Sequence, residues 1–398
     1  MEAGMKRAQL TPTEEEARAA AVSCVLGNED LLREILLGLG FPTTLVRAAL
    51  VCRRWYRVAA NPDFLHRFRE LHPPRLLGFY LSTSYYGWKR LLEFVPMVPQ
   101  LPELATVLRR GSFSFDPSMC ISNCRTGRVV VGSYVPEAHK IKYVVHTPLY
   151  PMRSPVILPH VGHRDNDGMC RWELLTRESG DELSYFWFIM DFYNSRGADV
   201  CVYMLQDDVW RIRVSASTQL RSGPPGGRKS LLVEDRLYVA ATMRSILVLD
   251  LASSSLSTIM LPDGVRNNGD MMLSQAKGSG VYLVQVKELQ LSIWLLKGTH
   301  GSTGDWFMVD TFCLRDMCAN LRDPNCMTGD SGAYDVYLNT VGDNAEFVFL
   351  DMDQYVLFLD VRSRAMCKVY ENTKTEPRSV QIHPYMMIWP PMFPALKE

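Results

Sequence analysis

His160 and His163, followed by Asp165, Asp167 and Cys170, place two imidazoles, two carboxylates and a thiol in one short stretch, donors that suit a transition metal. A structural zinc site, however, is ordinarily built from paired Cys-x-x-Cys or from a second well-spaced pair. Here the donors stand alone in a segment rich in Gly, Asp and Asn. Cys313, Cys318 and Cys326 are separated by four and seven residues, a spacing that suits no common zinc module, and they read as buried or loop thiols. Acid–base chemistry could use Asp207 with Asp208, or Asp351 with Asp353, but no histidine or nucleophile motif converges on either pair. No Gly-x-Ser-x-Gly elbow occurs, and Asp330-Ser331-Gly332 is turn composition. Gly223-Pro224-Pro225-Gly226-Gly227 is read as a surface turn, because no strand-loop-helix follows it to make a phosphate cradle. No catalytic residue, metal or cofactor is expected.

Composition narrows the classes further. The 398 residues carry 43 basic and 43 acidic side chains, and 47% of the chain is hydrophobic. That describes an ordinary globular protein of two or three domains. A nucleic-acid binder would show a basic excess; the one local cluster, Arg47, Arg53, Arg54 and Arg57, reads as a solvated helix face or a contact for an acidic partner. No apolar run reaches eighteen residues, so no membrane span is expected. Residues 1–25 lack the apolar core of a secretory signal and contain Glu14, Glu15 and Glu16; they read as a mobile tail. The ten cysteines are expected reduced, inside the cell.

From about Pro73 onward the apolar period is that of strands. Short runs such as Leu76–Leu81, Tyr185–Phe192, Ile246–Leu251, Val281–Val286 and Tyr355–Val361 alternate with Gly, Asp, Asn and Ser. In Ile246-Leu247-Val248-Leu249 both alternating sets are apolar, so both sides of the strand need cover. Crossover helices are missing, and the cover must come from other sheets. Leading strands near Leu77, Val129, Phe186, Leu237, Val281 and Phe347 recur at intervals of 44 to 66 residues. Four-stranded units at such a period, each buried against two neighbours, describe a six-bladed β-propeller over residues 73–394; a β-sandwich with an extra sheet is the alternative. Gln219–Arg228 and Asp305–Asp343 match no blade phrase and read as loops.

Ahead of the strands, residues 26–72 are helical in pattern. Leu31, Leu32, Ile35, Leu36 and Leu39 fall on one face, and Leu45, Ala48, Ala49, Val51, Cys52 and Trp55 on another. Asn28 suits an N-cap, and Gly38, Gly40 and Pro42 end the first helix. The spacing predicts a second helix from Thr43 or Thr44 to about Asn61-Pro62 and a third from Asp63 to Leu71. Three short helices make a core too small to be stable with ease, which suits a docking module that keeps part of its apolar face for a partner; a plain helical cap on the following domain would show the same periodicity.

This stretch resembles an F-box. The residues that carry the likeness are Leu31, Leu32, Ile35 and Leu36; Leu45, Val51, Cys52 and Trp55; and Asn61, Pro62 and Phe64. One departure is Leu26-Gly27, where F-boxes commonly have Leu-Pro. The following region is similar to the propeller attached to F-boxes in a large plant family. Its marks are Pro74-Arg75-Leu76-Leu77-Gly78-Phe79-Tyr80, Asn123-Cys124-Arg125-Thr126-Gly127-Arg128-Val129, His146-Thr147-Pro148-Leu149, Leu249-Asp250-Leu251 with Met260-Leu261-Pro262, and Ile388-Trp389-Pro390-Pro391. The resemblance implies a mainly β protein with a three-helix F-box, acting in the cytoplasm or nucleus as the substrate-recognition subunit of a ubiquitin ligase. Its partners would be a Skp-family adaptor, through it a cullin, and an unidentified protein substrate; neither nucleic acid nor membrane is implied. Leu31, Leu32, Ile35, Leu36, Leu45, Val51, Cys52, Trp55, Pro62 and Phe64 would serve the adaptor or the small core. For substrate, Asp305–Asp343 offers Asp310, Asp316, Asp323, Asp330, Arg315 and Arg322, with Met317, Leu321 and Met327 expected at the surface. A non-degradative scaffold, a ligand-sensing propeller and a propeller enzyme with a helical appendage remain alternatives.

Overall fold

The computed structural model describes residues 12–72, 75–85, 90–98, 102–138, 140–161, 170–179, 182–193, 197–219, 230–297, 305–319, 336–352, 355–372, 378–387 and 393. The chain divides into two compact units, Met1–Arg75 with Met387–Glu398, and Leu76–Met386. The first contains α1 (Pro12–Gly27), α2 (Glu29–Leu37), α3 (Pro42–Ala49), α4 (Arg53–Ala59) and α5 (Pro62–Leu71). The segment expected as a mobile tail is thus helical from Pro12; its Glu- and Ala-rich composition favours a helix. The single helix predicted from Thr43 to Asn61 is two. The Leu50 and Val51 amides still bond backward to Val46 and Ala48, but Cys52 is fully extended, with φ −162° and ψ 166°. No Gly or Pro marks this corner. Tertiary packing imposes it, and Val58 and Ala59 beyond it are buried.

The second unit opens with β1 (Leu76–Tyr85), β2 (Arg90–Pro96) and α6 (Pro102–Arg110). Five four-stranded sheets follow. They are β3 (Cys120–Arg125), β4 (Arg128–Val135), β5 (Lys140–His146) and β6 (Val156–Ile157); then β7 (Cys170–Ser179), β8 (Glu182–Tyr193), β9 (Gly197–Gln206) and β10 (Val209–Thr218). Next come β11 (Leu231–Val233), β12 (Arg236–Val239), β13 (Ser245–Asp250) and β14 (Ser255–Met260). The fourth is β15 (Met271–Gln275), β16 (Val281–Lys287), β17 (Gln290–Leu296) and β18 (Trp306–Cys313), followed by α7 (Leu314–Ala319). The fifth is β19 (Val336–Val341), β20 (Phe347–Met352), β21 (Tyr355–Asp360) and β22 (Ala365–Glu371). The last strand, β23 (Arg378–Met386), returns to pair antiparallel with β1, completing a sheet of order β2-β1-β23. The six leading strands named from sequence fall in six different sheets. The unit is a six-bladed propeller whose inner strands β3, β7, β11, β15, β19 and β23 neighbour one another around the ring.

Side chains on both faces of the blades fill the gaps between them. Phe186, Phe188, Val200 and Val202 pack with Leu237, Leu247 and Leu249; Val284, Leu291 and Ile293 pack with Val348, Leu350 and Leu357. Phe79, Leu81 and Ile382 of the closing blade meet Phe347, Phe349 and Val356. On its other side the closing blade is aromatic, with Tyr80 5.0 Å from Phe94 and Phe113 stacked on Phe94 at 4.3 Å between ring centroids. Gly78 is required here, because a Cβ on it would lie 2.4 Å from the Phe94 ring.

Polar ties fasten the inner strands. Asn339, the extra residue of a bulge in β19, donates to the Val380 carbonyl and accepts from the Ile382 amide, both at 2.9 Å. Asn123 of β3 donates to the Leu174 carbonyl of β7 and accepts from Thr176. The buried Tyr385 hydroxyl donates to the Gly127 carbonyl at 2.9 Å, and burial holds its pKa well above the ordinary phenol range. The stretch Asp305–Asp343 is a correction. Its ends are the outer strand β18 and the inner strand β19, with α7 between. β18 escaped notice because a strand at the rim lacks strand-like alternation, with Phe307, Met308 and Val309 all exposed.

Asn339→Ala should leave the Ile382 amide and Val380 carbonyl unpaired inside the ring. The expected loss is about 1–3 kcal/mol of propeller stability, read as a lower urea midpoint, with faster amide exchange in β19 and β23. An unchanged midpoint would remove Asn339 as a closure tie.

Candidate functional site

The helical unit is built on well-formed helix ends. The Asn28 side chain accepts from the Asp30 amide at 2.9 Å and the Leu31 amide at 3.2 Å. Glu29 and Asp30 add negative charge at the N-terminus of α2, where the helix dipole favours it. Asn61 caps α5 through the Phe64 amide at 3.1 Å, and Pro62 opens that helix. His72, at the end of α5, lies 2.6 Å through Nε2 from the Leu37 carbonyl at the end of α2. A carbonyl can only accept, so Nε2 carries the proton and donates. Arg54 donates to the Gly27 carbonyl.

Leu32, Leu36, Leu45, Phe64 and Phe68 are fully buried, with Phe64 stacked against Phe68 at 5.8 Å between centroids. Other apolar residues point outward: Leu31 is 46% exposed, Ile35 43%, Leu50 76% and Val51 65%. Leu31 and Ile35 are four residues apart on α2 and share a face. Leu50 and Val51 form the corner between α3 and α4. Of the ten residues expected to serve the adaptor or the core, Leu32, Leu36, Leu45 and Phe64 lie in the core. Leu31, Ile35, Val51, Cys52 and Pro62 are exposed, and Trp55 is half-buried. Leu50 was missed. Its signal is the surplus of apolar residues from Leu45 to Val51, more than one face of a short helix can bury. Arg47, Arg53 and Arg57 are exposed, so this part of the unit is both greasy and basic.

The residues expected to meet substrate divide differently. Arg315 and Asp316 on α7 are exposed, whereas Met317 is half-buried against the core between the fourth and fifth sheets. Its expected exposure is corrected: in a helix following Leu314, position 317 turns back toward the buried face with Leu314 and Cys318. The Leu314 amide donates to the Leu289 carbonyl of the β16–β17 hairpin at 2.8 Å, which pins the start of α7. Leu321, Arg322 and Met327 lie outside the described residues, as do Asp323, Cys326 and Asp330.

The sequence motifs with possible chemistry take structural positions. Asp207 and Asp208 are the two central residues of the β9–β10 hairpin, with φ of 50° and 58°, the left-handed region that Asp tolerates. His160 is exposed beyond β6, and Cys170 begins β7. Burial, with a hydrogen bond to Asp191 and the charge of that carboxylate, pushes the Cys170 thiol up to about 12. A thiol held up in this way is not a poised nucleophile at neutral pH. His163, Asp165, Asp167 and Asp353 lie outside the described residues. Among the described residues no group of three His, Cys, Asp or Glu side chains could hold a metal ion, and no helix is long and apolar enough to cross a membrane.

Residues 29–71 match the family described as F-box-like, and residues 120–393 match the one described as F-box protein AT5G49610-like, beta-propeller. The F-box protein At5g03970 of Arabidopsis thaliana is 34% identical over 86 residues, 21% of this chain and 20% of that protein. The match thus spans about a fifth of that relative's length. Among solved structures, apo AztD from Citrobacter koseri shares 9% identity at a TM-score of 0.32, over 77% of this chain and 98% of that one. The fission yeast SREBP-SCAP binding domains share 12% at 0.33, over 76% and 75%. The six-bladed assignment rests on the strand pairing and not on these distant likenesses.

The division between core and surface is directly testable. Leu36→Ala should destabilise the helical unit by about 2–5 kcal/mol, whereas Leu31→Ala should change it by no more than about 0.5 kcal/mol. Amide exchange in α2 and α5 of the full chain measures both; equal effects would contradict the burial described.

Proposed function

The chain belongs to the family of F-box proteins with an AT5G49610-like β-propeller, and on that premise we propose that it is the substrate-recognition subunit of a Skp–cullin–F-box ubiquitin ligase. F-box domains generally bind Skp1-family adaptors in cullin complexes, and F-box proteins with a propeller are typically non-catalytic adaptors. The observation that carries the reading is the set of exposed apolar side chains, Leu31, Ile35, Leu50 and Val51, on a unit whose core is already closed by other residues. An exposed apolar set on a small module is the mark of a docking surface. Cys52 and Trp55 extend it along the start of α4. Arg47, Arg53 and Arg57 suit an acidic partner, whose approach they would speed and orient.

The propeller takes the target protein. Helix α7 follows an outer strand, so it lies at the end of the ring opposite the one where β1 begins and β23 ends. Arg315 there is the described residue proposed to touch the target, joined by Leu321, Arg322 and Met327 of the connecting segment; Met317 braces α7. The mechanism is positional. Holding a target lysine beside a ubiquitin-charged enzyme raises its effective concentration without any group of this chain touching the reacting atoms.

The double variant Leu31→Ala with Ile35→Ala should weaken capture of a purified Skp-family adaptor by about thirtyfold, since truncating a central anchor costs about 2 kcal/mol or more. Leu32→Ala is a poor probe, because it opens the core. Unchanged affinity in a folded Leu31/Ile35 variant would sink the docking assignment. Arg315→Ala combined with replacement of residues 320–327 by a Gly/Ser linker, which spares Met317 and the buried Cys318, should weaken target capture while leaving adaptor binding intact, measured by affinity capture from ligase-inhibited cells. Retained target binding would move recognition elsewhere on the ring.

A further inference from the structure

The C-terminal segment returns to the helical unit after β23 closes the ring. The Met387 amide donates to the Arg75 carbonyl at 2.9 Å, and Met387 itself is buried. Arg75 in turn lays its guanidinium 4.5 Å from the centre of the Phe41 ring. Phe41 is the N-cap of α3 and makes no side-chain capping bond. Six residues further on, Phe393 meets Tyr56 of α4 edge to face, with ring centroids 5.6 Å apart. Met387 thus reaches the start of α3 through Arg75, and Phe393 meets the middle of α4.

Helix α4 needs such support. It has 7 residues, its N-cap Cys52 offers no capping bond, and its first turn carries no acidic residue. An isolated helix of that length is unstable in water and exists only through tertiary packing. Tyr56 is half-buried, and its hydroxyl is buried with no hydrogen-bond partner, so the ring serves by packing. We propose that Phe393, with Met387, is a working part of the docking unit: Phe393 braces α4, and with it the Leu50–Cys52 corner. The brace itself follows from the contacts; its consequence for adaptor binding rests on the function proposed above.

The test uses the full chain, with Phe393→Ala and a chain ending at Met387, which keeps all of β23. Hydrogen exchange read by mass spectrometry should show α4 amides exchanging roughly tenfold faster in both variants, with β8 unchanged. Tyr56→Phe should leave α4 exchange as it is, because only an unpartnered hydroxyl is lost, whereas Tyr56→Ala should reproduce Phe393→Ala. Purified adaptor should be captured more weakly by the Phe393→Ala chain than by the parent. Unaltered α4 exchange in both Phe393→Ala and the shortened chain overturns the proposal. Faster α4 exchange in both variants, together with a parent chain that binds no adaptor, would uphold the brace and remove the ligase reading instead.

Discussion

The antiparallel pairing of β1 with β23 is the constraint on which the propeller depends. Its register runs from Leu76 opposite Met386 to Tyr85 opposite Arg378. Blades whose strands are apolar on both faces are stable only when every face has a neighbour, and a row of six blades would leave two faces in water. One of these interfaces holds Phe79, Leu81, Ile382, Phe347 and Phe349. At about 2 kcal/mol for each large side chain uncovered, opening it costs about 10 kcal/mol, comparable with the whole net stability of about 5–15 kcal/mol expected for a folded domain. The ring is therefore closed or the unit does not fold. The ties from Asn339 to Val380 and Ile382, and from Tyr385 to Gly127, both fasten the strand that closes it.

Closure also fixes where the rest of the chain must go. Because Leu76 and Met386 are paired residues, the chain enters and leaves the propeller side by side, and the residues just outside, Arg75 and Met387, continue the contact through a backbone hydrogen bond. The helical unit consequently includes described residues from before Leu76 and from after Met386. The connections from outer to inner strands emerge at the other end of the ring, which leaves them free to vary without disturbing closure. Their anchors are specific: Glu173 accepts from the Ser230 amide at 2.7 Å, and Arg171 donates to the Ser230 hydroxyl.

The central strands of each blade were legible in the sequence, and the physics says why. In β13, β16 and β20 most residues are buried and at least four of them are consecutive, so the apolar run stands out against the Gly- and Asp-rich turns. The rim was not legible. β6 has two residues, both exposed, and β18 is exposed along most of its length, because a strand with one neighbour and water on its far side has no burial pattern to impose. The three-residue inner strand β11 is too short to show a period. The corner at Cys52 was missed for a different reason: helical spacing continues from Leu45 through Ala49 to Trp55, and nothing local reports that packing has bent the chain between them.

The F-box-like pattern raises the harder question of which residues fold the module and which meet a partner. Both groups are Leu, Ile and Val at helical spacing, so residue type cannot separate them. Leu31 and Leu32 are neighbours in sequence, yet one is 46% exposed and the other fully buried. A helix turns about 100° per residue, which is enough to carry one from the core to the surface. A module this small cannot hide all its apolar groups behind its own helices. The surplus is the surface proposed for docking, and the same shortage of cover explains why a short helix such as α4 packs against Phe393. Stability and recognition draw on one limited set of apolar side chains, and the geometry of α2 and the α3–α4 corner decides how that set is shared.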